Sequence, residues 1–146
     1  MLEINVKGAD TADMNLRNRM TFSTRDMDLI GTDVWAGILT NTKAGLDYQG
    51  NGFEDYTTGY AETRSKWGLQ TSPVNLNFTG KMLDDIVIEP NVSKLSVVVA
   101  IRDTTSARIA LAHINGSFPV PSRQFFGVTK EARKEIIQTV RKALGF

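Results

Sequence analysis

Oxygen-bearing side chains alternate along the stretch AGLDYQGNGFEDY, residues 44–56, in the manner of a calcium-binding loop. When the loop is counted from Asp47, Gln49, Asn51 and Asp55 stand at ligand positions, and Gly52 stands where the loop needs its turn glycine. Thr58 stands where the template needs a bidentate glutamate, so the coordination sphere would be incomplete. We therefore predict a turn and not a metal site, in which the glycines bend the chain and Asp47 and Asn51 stabilise the bends through their side chains.

The other residues that could do chemistry are isolated from one another. His113 is the single histidine, and no serine lies in the Gly-x-Ser-x-Gly pattern of a nucleophile elbow. We predict that His113 packs or caps near the end of a helix, where a charged imidazole would interact favourably with the helix dipole. Asp84 and Asp85 are adjacent, so their side chains diverge and do not readily share a substrate. No catalytic, cofactor-binding or metal site is predicted, and we do not expect an enzyme.

Length and composition are those of an ordinary globular protein. The 146 residues suit a single domain, 1–146, and 41% of them are hydrophobic and 23% charged. The 17 basic and 16 acidic residues give a net charge of +1, which supplies no overall attraction to nucleic acid or to an anionic membrane. The absence of cysteine excludes disulfides and thiolate sites. The longest apolar run, 97–101, is far too short to span a bilayer, so no membrane association is predicted.

The first part of the sequence predicts a strand and a long helix. The strand is indicated by alternating apolar residues that run into a glycine, namely Leu2, Ile4, Val6 and Gly8. From about 25 to 42, apolar residues recur at spacings of three and four, which is typical of an amphipathic helix. Thr24 is its predicted cap, and Gly31 and Gly37 are expected to weaken it.

Residues 43–75 are poor in aliphatic side chains and rich in glycine, threonine, asparagine and aromatics. A helix is predicted only at about 55–66. A weakly periodic segment of this length is uncommon inside a compact domain and typically has a function or is ordered by a partner. We predict a long arm whose aromatic residues either cover the core or anchor a subunit contact, two interpretations that stay open for Phe53, Tyr56, Tyr60 and Trp67.

The second part of the sequence alternates short helices with strands. The predicted order is a short helix capped by Thr79, a strand at 86–88, a turn at Pro90-Asn91, a strand at 95–101, and a helix that Asp103 caps and Asn115-Gly116 ends. Because strand 95–101 is apolar on both faces, we predict that it lies centrally in the sheet. Thr129 caps a terminal helix whose basic face is interrupted by acidic residues, so we interpret that face as solvated rather than as a DNA contact. Together these elements predict an α+β fold, a small and mostly antiparallel sheet packed by an N-terminal and a C-terminal helix.

Several sequence motifs, taken in order, resemble the neck and tail-completion proteins of tailed double-stranded DNA bacteriophages. They are GLDYQGNGFEDYTTGYAETRSKWG, VNLNFTGKMLDDI and ARIALAHINGSFPVPSRQFFGVT, followed by a short terminal helix. The first strand and turn, INVKGAD, also look like those of this group. The resemblance covers residues 45 to about 144, and the order and spacing of the motifs carry it.

The resemblance implies a structural virion protein and not an enzyme. Such a protein would form a homo-oligomeric ring, six-fold in preference to twelve-fold, in the neck of the virion after assembly in the host cytoplasm. Its neighbours would be the portal or adaptor and the tail-terminator or tail-tube proteins, with DNA only as cargo in the lumen. The arm would reach a neighbouring subunit through Phe53, Tyr56, Tyr60 and Trp67.

The segment Pro121-Ser122-Arg123 is expected to be an extended strand in this arrangement. Arg123 would pair with a carboxylate, and of Phe125 and Phe126 one would enter the core and the other a groove, so all three are predicted interface residues. The alternative function is a nucleic-acid-binding or small-ligand-binding α+β module. A nucleic-acid-binding protein would show salt-dependent affinity, and a ligand-binding module would show a pocket with convergent polar groups.

Overall fold

A computed structural model describes residues 2–7 and 22–145, and these form three strands and five helices. The fold is α+β with a small antiparallel sheet, as predicted. The strands are β1 (Leu2–Lys7), β2 (Ile86–Asn91) and β3 (Ser96–Ile101). The helices are α1 (Thr24–Lys43), α2 (Thr58–Lys66), α3 (Lys81–Asp84), α4 (Thr104–Asn115) and α5 (Lys130–Ala143). The turn predicted at Gly8 lies outside the described residues.

The sheet has the order β1-β3-β2, and both pairings are antiparallel. The central position of β3 confirms the prediction from its two apolar faces, since Val97, Val99 and Ile101 are fully buried and Ala100, on the opposite face, is buried as well. The turn predicted at Pro90-Asn91 is wrong, because both residues belong to β2 and Pro90 pairs with Val97. Proline is tolerated there because β2 is an edge strand, where one side of the backbone needs no partner.

Helix α1 packs across β2 and β3 and buries its apolar stripe in the core. Its cap is Ser23 and not Thr24: the Ser23 hydroxyl accepts from the Asp26 amide, and the Asp26 carboxylate accepts from the Ser23 amide. Gly31 lies in close contact with the sheet. A Cβ at this position would overlap Cγ2 of Ile88 and lie 2.9 Å from Cγ1 of Val97.

The terminal helix α5 packs against α1. Thr129 caps α5 as predicted, with its hydroxyl accepting from the Ala132 amide at 3.1 Å. Gly37 makes room for this cap, because a Cβ there would lie 2.5 Å from the Thr129 hydroxyl oxygen. The two glycines of α1 that were expected to weaken the helix therefore allow close contact with the sheet and with α5.

Helices α3 and α4 pack against each other, and α4 also contacts β1 and β3. Asp103 caps α4 and Gly116 ends it with φ 71°, both as predicted. Thr79 does not cap α3; Gly80, with φ 84°, is the residue before that helix, and the Thr79 hydroxyl lies 3.4 Å from the Lys81 amide. Within the described ranges, no helix is long and apolar enough to cross a bilayer.

Candidate interaction surface around Tyr56 and Tyr60

The stretch 44–56 is a turn held against its own chain. The Asp47 carboxylate accepts hydrogen bonds from the amides of Gln49 and Asn51, at 2.9 and 2.8 Å, and from the Asn51 side chain at 3.0 Å. This confirms that Asp47 and Asn51 stabilise the turn. The Tyr48 amide donates to the carbonyl of Gln124 at 3.0 Å, which fixes the turn to the segment that precedes α5.

Arg123 reinforces this attachment from the other side. Its guanidinium donates to the backbone carbonyls of Glu54, at 2.8 and 3.1 Å, and Asp55, at 3.2 Å. The expectation that Arg123 pairs with a carboxylate is wrong, because its hydrogen bonds go to main-chain oxygens and the side chain is buried inside the subunit. Burial lowers the pKa of Arg123, and the nearby tyrosines and the carboxylates of Glu54 and Asp55 partly oppose that effect.

Phe125 and Phe126 both belong to the core. Their rings meet edge to face with centroids 5.9 Å apart, and both side chains are buried. The expectation that one of them occupies a groove is therefore wrong. The segment before α5 is hydrogen-bonded to the stretch 44–56 through Gln124 and Arg123, and both phenylalanine rings lie in the core cluster.

Tyr56 is the centre of an aromatic and cationic cluster. Its ring meets that of Tyr60 edge to face at 5.2 Å. The guanidinium carbon of Arg64 lies 4.6 Å from the Tyr56 ring centroid, and that of Arg123 lies 5.2 Å from it. Cations at this distance from a ring face are attracted by its quadrupole. Tyr56 therefore joins α2 to the segment before α5, and it packs with Phe53 against the core of its own chain.

Arg64 holds the loop that follows α2. Only 1% of its surface is exposed, and its guanidinium donates to the carbonyls of Gln70 and Asn77 at 2.8 Å and to the Asn75 side chain at 3.3 Å. Between Asn75 and Asn77, Leu76 has a left-handed backbone with φ 53°. A branched residue adopts this conformation only where its surroundings enforce it. Arg64 provides that constraint and so places Leu76 in the core.

Exposed apolar side chains concentrate beside this cluster. Among the described residues eight large apolar side chains are exposed, and three of them line one groove: Tyr60, Phe78 and Ile109. Trp67 and Phe78 meet edge to face at 5.3 Å, so Trp67 extends the apolar rim. Contiguous exposed patches of this kind typically mark interaction sites.

Two cavities lie on either side of the Tyr56 and Tyr60 pair. The first, which we call the aromatic groove, has a volume of about 420 Å³ and lies between α2, α3 and α4, with Leu76 and Met82 among its lining residues. The second, which we call the proline cavity, has a volume of about 330 Å³ and is bounded by Pro119, Val120 and Pro121. Tyr56, Tyr60 and His113 line both.

His113 is neutral at physiological pH in this environment. Burial, followed by the charge of Arg123, lowers the pKa of His113 to about 4. The charged imidazole expected at the end of a helix is therefore not formed, although the residue does pack near the end of α4 as predicted. Its Nδ1 atom and the Tyr56 hydroxyl are buried without a hydrogen-bond partner in the described part of the chain.

The predicted interface residues thus separate into two groups. Tyr60 is exposed at the aromatic groove and Trp67 is exposed beside it, whereas the rest are packed within the subunit: Phe53, Tyr56, Arg123, Phe125 and Phe126. Residues 44–56 are docked on their own chain, and contact of the 43–75 arm with a neighbouring subunit stays a prediction. Sequence reasoning did not identify Arg64, Phe78 or Ile109. Of these three, only Phe78 could have been noticed in the sequence, because it is an aromatic residue directly before the predicted cap Thr79.

The described ranges contain no group of three or more side chains placed to hold a metal ion. No family model matches this chain, and no match was found among curated proteins or solved structures.

Proposed function

We propose that this chain is a structural subunit of the neck of a tailed bacteriophage, a head-tail connector or tail-completion protein. It would assemble with copies of itself into a ring, six-fold in preference to twelve-fold, between the portal or adaptor and the tail-terminator or tail-tube proteins. DNA would pass through the lumen without being held. The proposal rests on the order and spacing of the sequence motifs that resemble this family, and it includes no catalytic activity.

One observation supports an assembly role in particular, namely the concentration of exposed apolar side chains around the aromatic groove. Tyr60, Phe78 and Ile109 are exposed together in this groove, with Trp67 packed on Phe78 beside it, and grouped exposed apolar side chains typically mark a contact site. Tyrosine and tryptophan are also the residues most enriched among those that dominate binding at protein interfaces. We therefore propose the aromatic groove as a site of contact with a neighbouring protein in the neck.

Native mass spectrometry and electron microscopy of the chain, alone and mixed with the adjacent virion proteins, test this function. The expected result is a closed ring with a central channel. Tyr60→Ala and Trp67→Ala are expected to reduce assembly more than they lower the melting temperature of the subunit, because both side chains are exposed although each ring packs on a neighbouring aromatic side chain. Leu29→Ala is a matched control, since Leu29 is 44% exposed, Tyr60 is 41% exposed, and Leu29 lies on α1. A chain that stays monomeric with every neighbour would contradict the proposal.

A small-ligand-binding module remains the second candidate, because the volumes of the two cavities fall within the range of small-molecule sites. Thermal unfolding in the presence of small aromatic and carboxylic compounds separates the two functions. A saturable rise in melting temperature with one compound, in a chain that forms no ring, would favour ligand binding over assembly.

A further inference from the structure

Phe118 is the most exposed large apolar side chain in the described part of the chain. It lies in the turn between α4 and the segment before α5, and its relative exposure is 102%. A ring with this exposure makes almost no contact with its own chain, so the favourable free energy of burying it is not gained within the subunit. A contact with another molecule would gain it.

The turn that carries Phe118 is held on both sides. Within the turn the Val120 amide donates to the Ser117 carbonyl at 2.6 Å. The Ser122 hydroxyl then ties the outgoing chain to the end of α4, because it donates to the Ile114 carbonyl at 2.6 Å. Phe118 is therefore presented on a backbone that is already ordered, which lowers the entropic cost of using the ring as a contact.

Phe118 also differs in its charge environment from the other exposed apolar side chains that lie away from the aromatic groove. Residues 114–122 contain no charged side chain. The others each lie within four positions of several charged residues, on α1, β2 and α5: Leu29, Val87 and Ile137. The turn of Phe118 is thus an apolar projection without charge, and it suits an apolar site without free charge.

The aromatic groove is a site of matching shape and polarity. It is lined by the buried side chains of Leu76 and Met82 and by the exposed side chains of Tyr60, Phe78 and Ile109. Its volume of about 420 Å³ exceeds that of a phenylalanine side chain. An inserted ring can meet Tyr60 or Phe78 edge to face, which is a favoured geometry for aromatic pairs.

The charges at the groove are satisfied by its own chain. Lys81 is offset by Asp85, whose carboxylate lies 2.6 Å away, and by Asp103 at 3.8 Å. The Arg64 guanidinium is buried and donates to the carbonyls of Gln70 and Asn77. An uncharged side chain therefore fits this groove better than a charged one, whose desolvation would not be repaid.

We propose that Phe118 of one copy of this chain inserts into the aromatic groove of the next copy. Phe118 does not line the groove of its own chain, so in this fold the two meet only between molecules. Each copy carries both halves of the contact, at different places, and such a heterologous contact repeats from subunit to subunit until a ring closes. The inference rests on the proposed function and adds the two surfaces through which the subunits would meet.

The size of this contact determines how it must be measured. One phenylalanine ring buries about 150–250 Å², whereas a stable interface buries about 1,200–2,000 Å² in total. Phe118 is therefore an anchor within a larger contact, and two isolated subunits would associate weakly through it. Covalent trapping detects such a contact even when the free subunits associate weakly.

Disulfide trapping is clean in this protein, because the chain has no cysteine. A Ser117→Cys chain is mixed with a Thr79→Cys chain under mild oxidation, since both positions are exposed and lie beside Phe118 and at the groove respectively. We expect a disulfide between positions 117 and 79 of two molecules, identified by mass spectrometry of the linked peptides. Gln138→Cys, at an exposed position on α5, replaces Thr79→Cys in the control and should be trapped much more slowly.

The role of the ring is tested by changing Phe118 in the Ser117→Cys chain. Phe118→Ser should slow trapping roughly 10- to 100-fold, as expected for the lost burial of one phenylalanine ring, and Phe118→Leu should slow it less. The melting temperature should not change, because the ring is exposed in its own chain. Equal trapping of the Thr79→Cys and Gln138→Cys chains, or trapping that Phe118→Ser leaves unchanged, would overturn the proposal.

Electron microscopy of assemblies with the adjacent virion proteins separates this inference from the proposed function. Rings that form equally well from the unchanged chain and from Phe118→Ser would contradict this inference alone. Trapping between positions 117 and 79 in a chain that never forms rings would contradict the neck function alone.

Discussion

The guanidinium of Arg64 lies over the ring of Tyr56, with 4.6 Å between its central carbon and the ring centroid, while its nitrogens hold the loop of residues 70–77. One buried side chain thereby connects α2, the aromatic pair and the left-handed backbone of Leu76. The groove depends on this contact, because Leu76 and Tyr56 both line it.

Replacing Arg64 by methionine should destabilise the chain strongly. The change leaves the carbonyls of Gln70 and Asn77 without their donor and releases Leu76, so we expect a loss of about 2–4 kcal/mol in the free energy of unfolding. Urea unfolding followed by circular dichroism measures it. Lys66→Met, at an exposed position of the same helix, is the control and should change stability by less than about 0.5 kcal/mol. Equal midpoints for the two variants would show that Arg64 has no structural role.

The helical glycines Gly31 and Gly59 should respond in opposite ways to alanine. At Gly31 the added methyl group overlaps Ile88 and approaches Val97, so we expect a loss of about 1–3 kcal/mol. At Gly59 no atom lies within 4 Å of the new Cβ, and helix propensity alone should stabilise the chain by up to about 1 kcal/mol. Thermal unfolding of both variants measures the difference. Stabilisation by Gly31→Ala would mean that α1 does not pack closely on the sheet.

This pair also indicates what the sequence could predict. Local patterns were sufficient for α1, for the central position of β3 and for the caps Asp103 and Thr129, because each depends on residues a few positions apart. Close packing at Gly31 was not predictable, since the same glycine that weakens an isolated helix permits contact with a strand more than fifty residues later. The cap of α1 was predicted one residue too late, at Thr24 instead of Ser23, because adjacent serine and threonine side chains are both suitable caps.

The candidate site was less predictable than the fold for a related reason. Arg64 and Arg123 bond to main-chain carbonyls, which every residue possesses, so no sequence pattern marks their partners. An aromatic residue such as Tyr56 has the same signature whether it packs inward or binds a neighbour. Tyr56 packs inward because the segment 44–56 is bonded to Gln124 and Arg123, whereas Tyr60 stays exposed, and the sequence does not reveal this difference.

His113 should make stability depend on pH in a defined direction. Its pKa is about 4 in the folded chain against an ordinary 6.5, so the unfolded chain takes up a proton first as the pH falls. The contribution of His113 to the free energy of unfolding is then constant above about pH 7, and it decreases as the pH falls from 6.5 toward 4. Because His113 is the only histidine, its ring proton resonances can be followed by NMR without ambiguity. A titration midpoint near 6.5 would contradict burial, and His113→Gln should flatten the stability profile between pH 5 and 6.5.

Calcium should have no effect on the chain, since the Asp47 carboxylate is already occupied by the amides of its own turn. Asp47→Ala should cost about 1–2 kcal/mol, because the Gln49 and Asn51 amides lose their acceptor. Asp55→Ala is the matched control, as Asp55 would be a ligand in a calcium loop but contributes only its backbone carbonyl to the bonds of this region. Differential scanning calorimetry with calcium and with EDTA measures both effects. A calcium-dependent rise in melting temperature that Asp55→Ala removes would contradict this prediction. Calcium binding would require the turn to open so that the carboxylates of Asp47 and Asp55 converge on the ion, whereas the Asp47 carboxylate is bonded to the amides of its own turn.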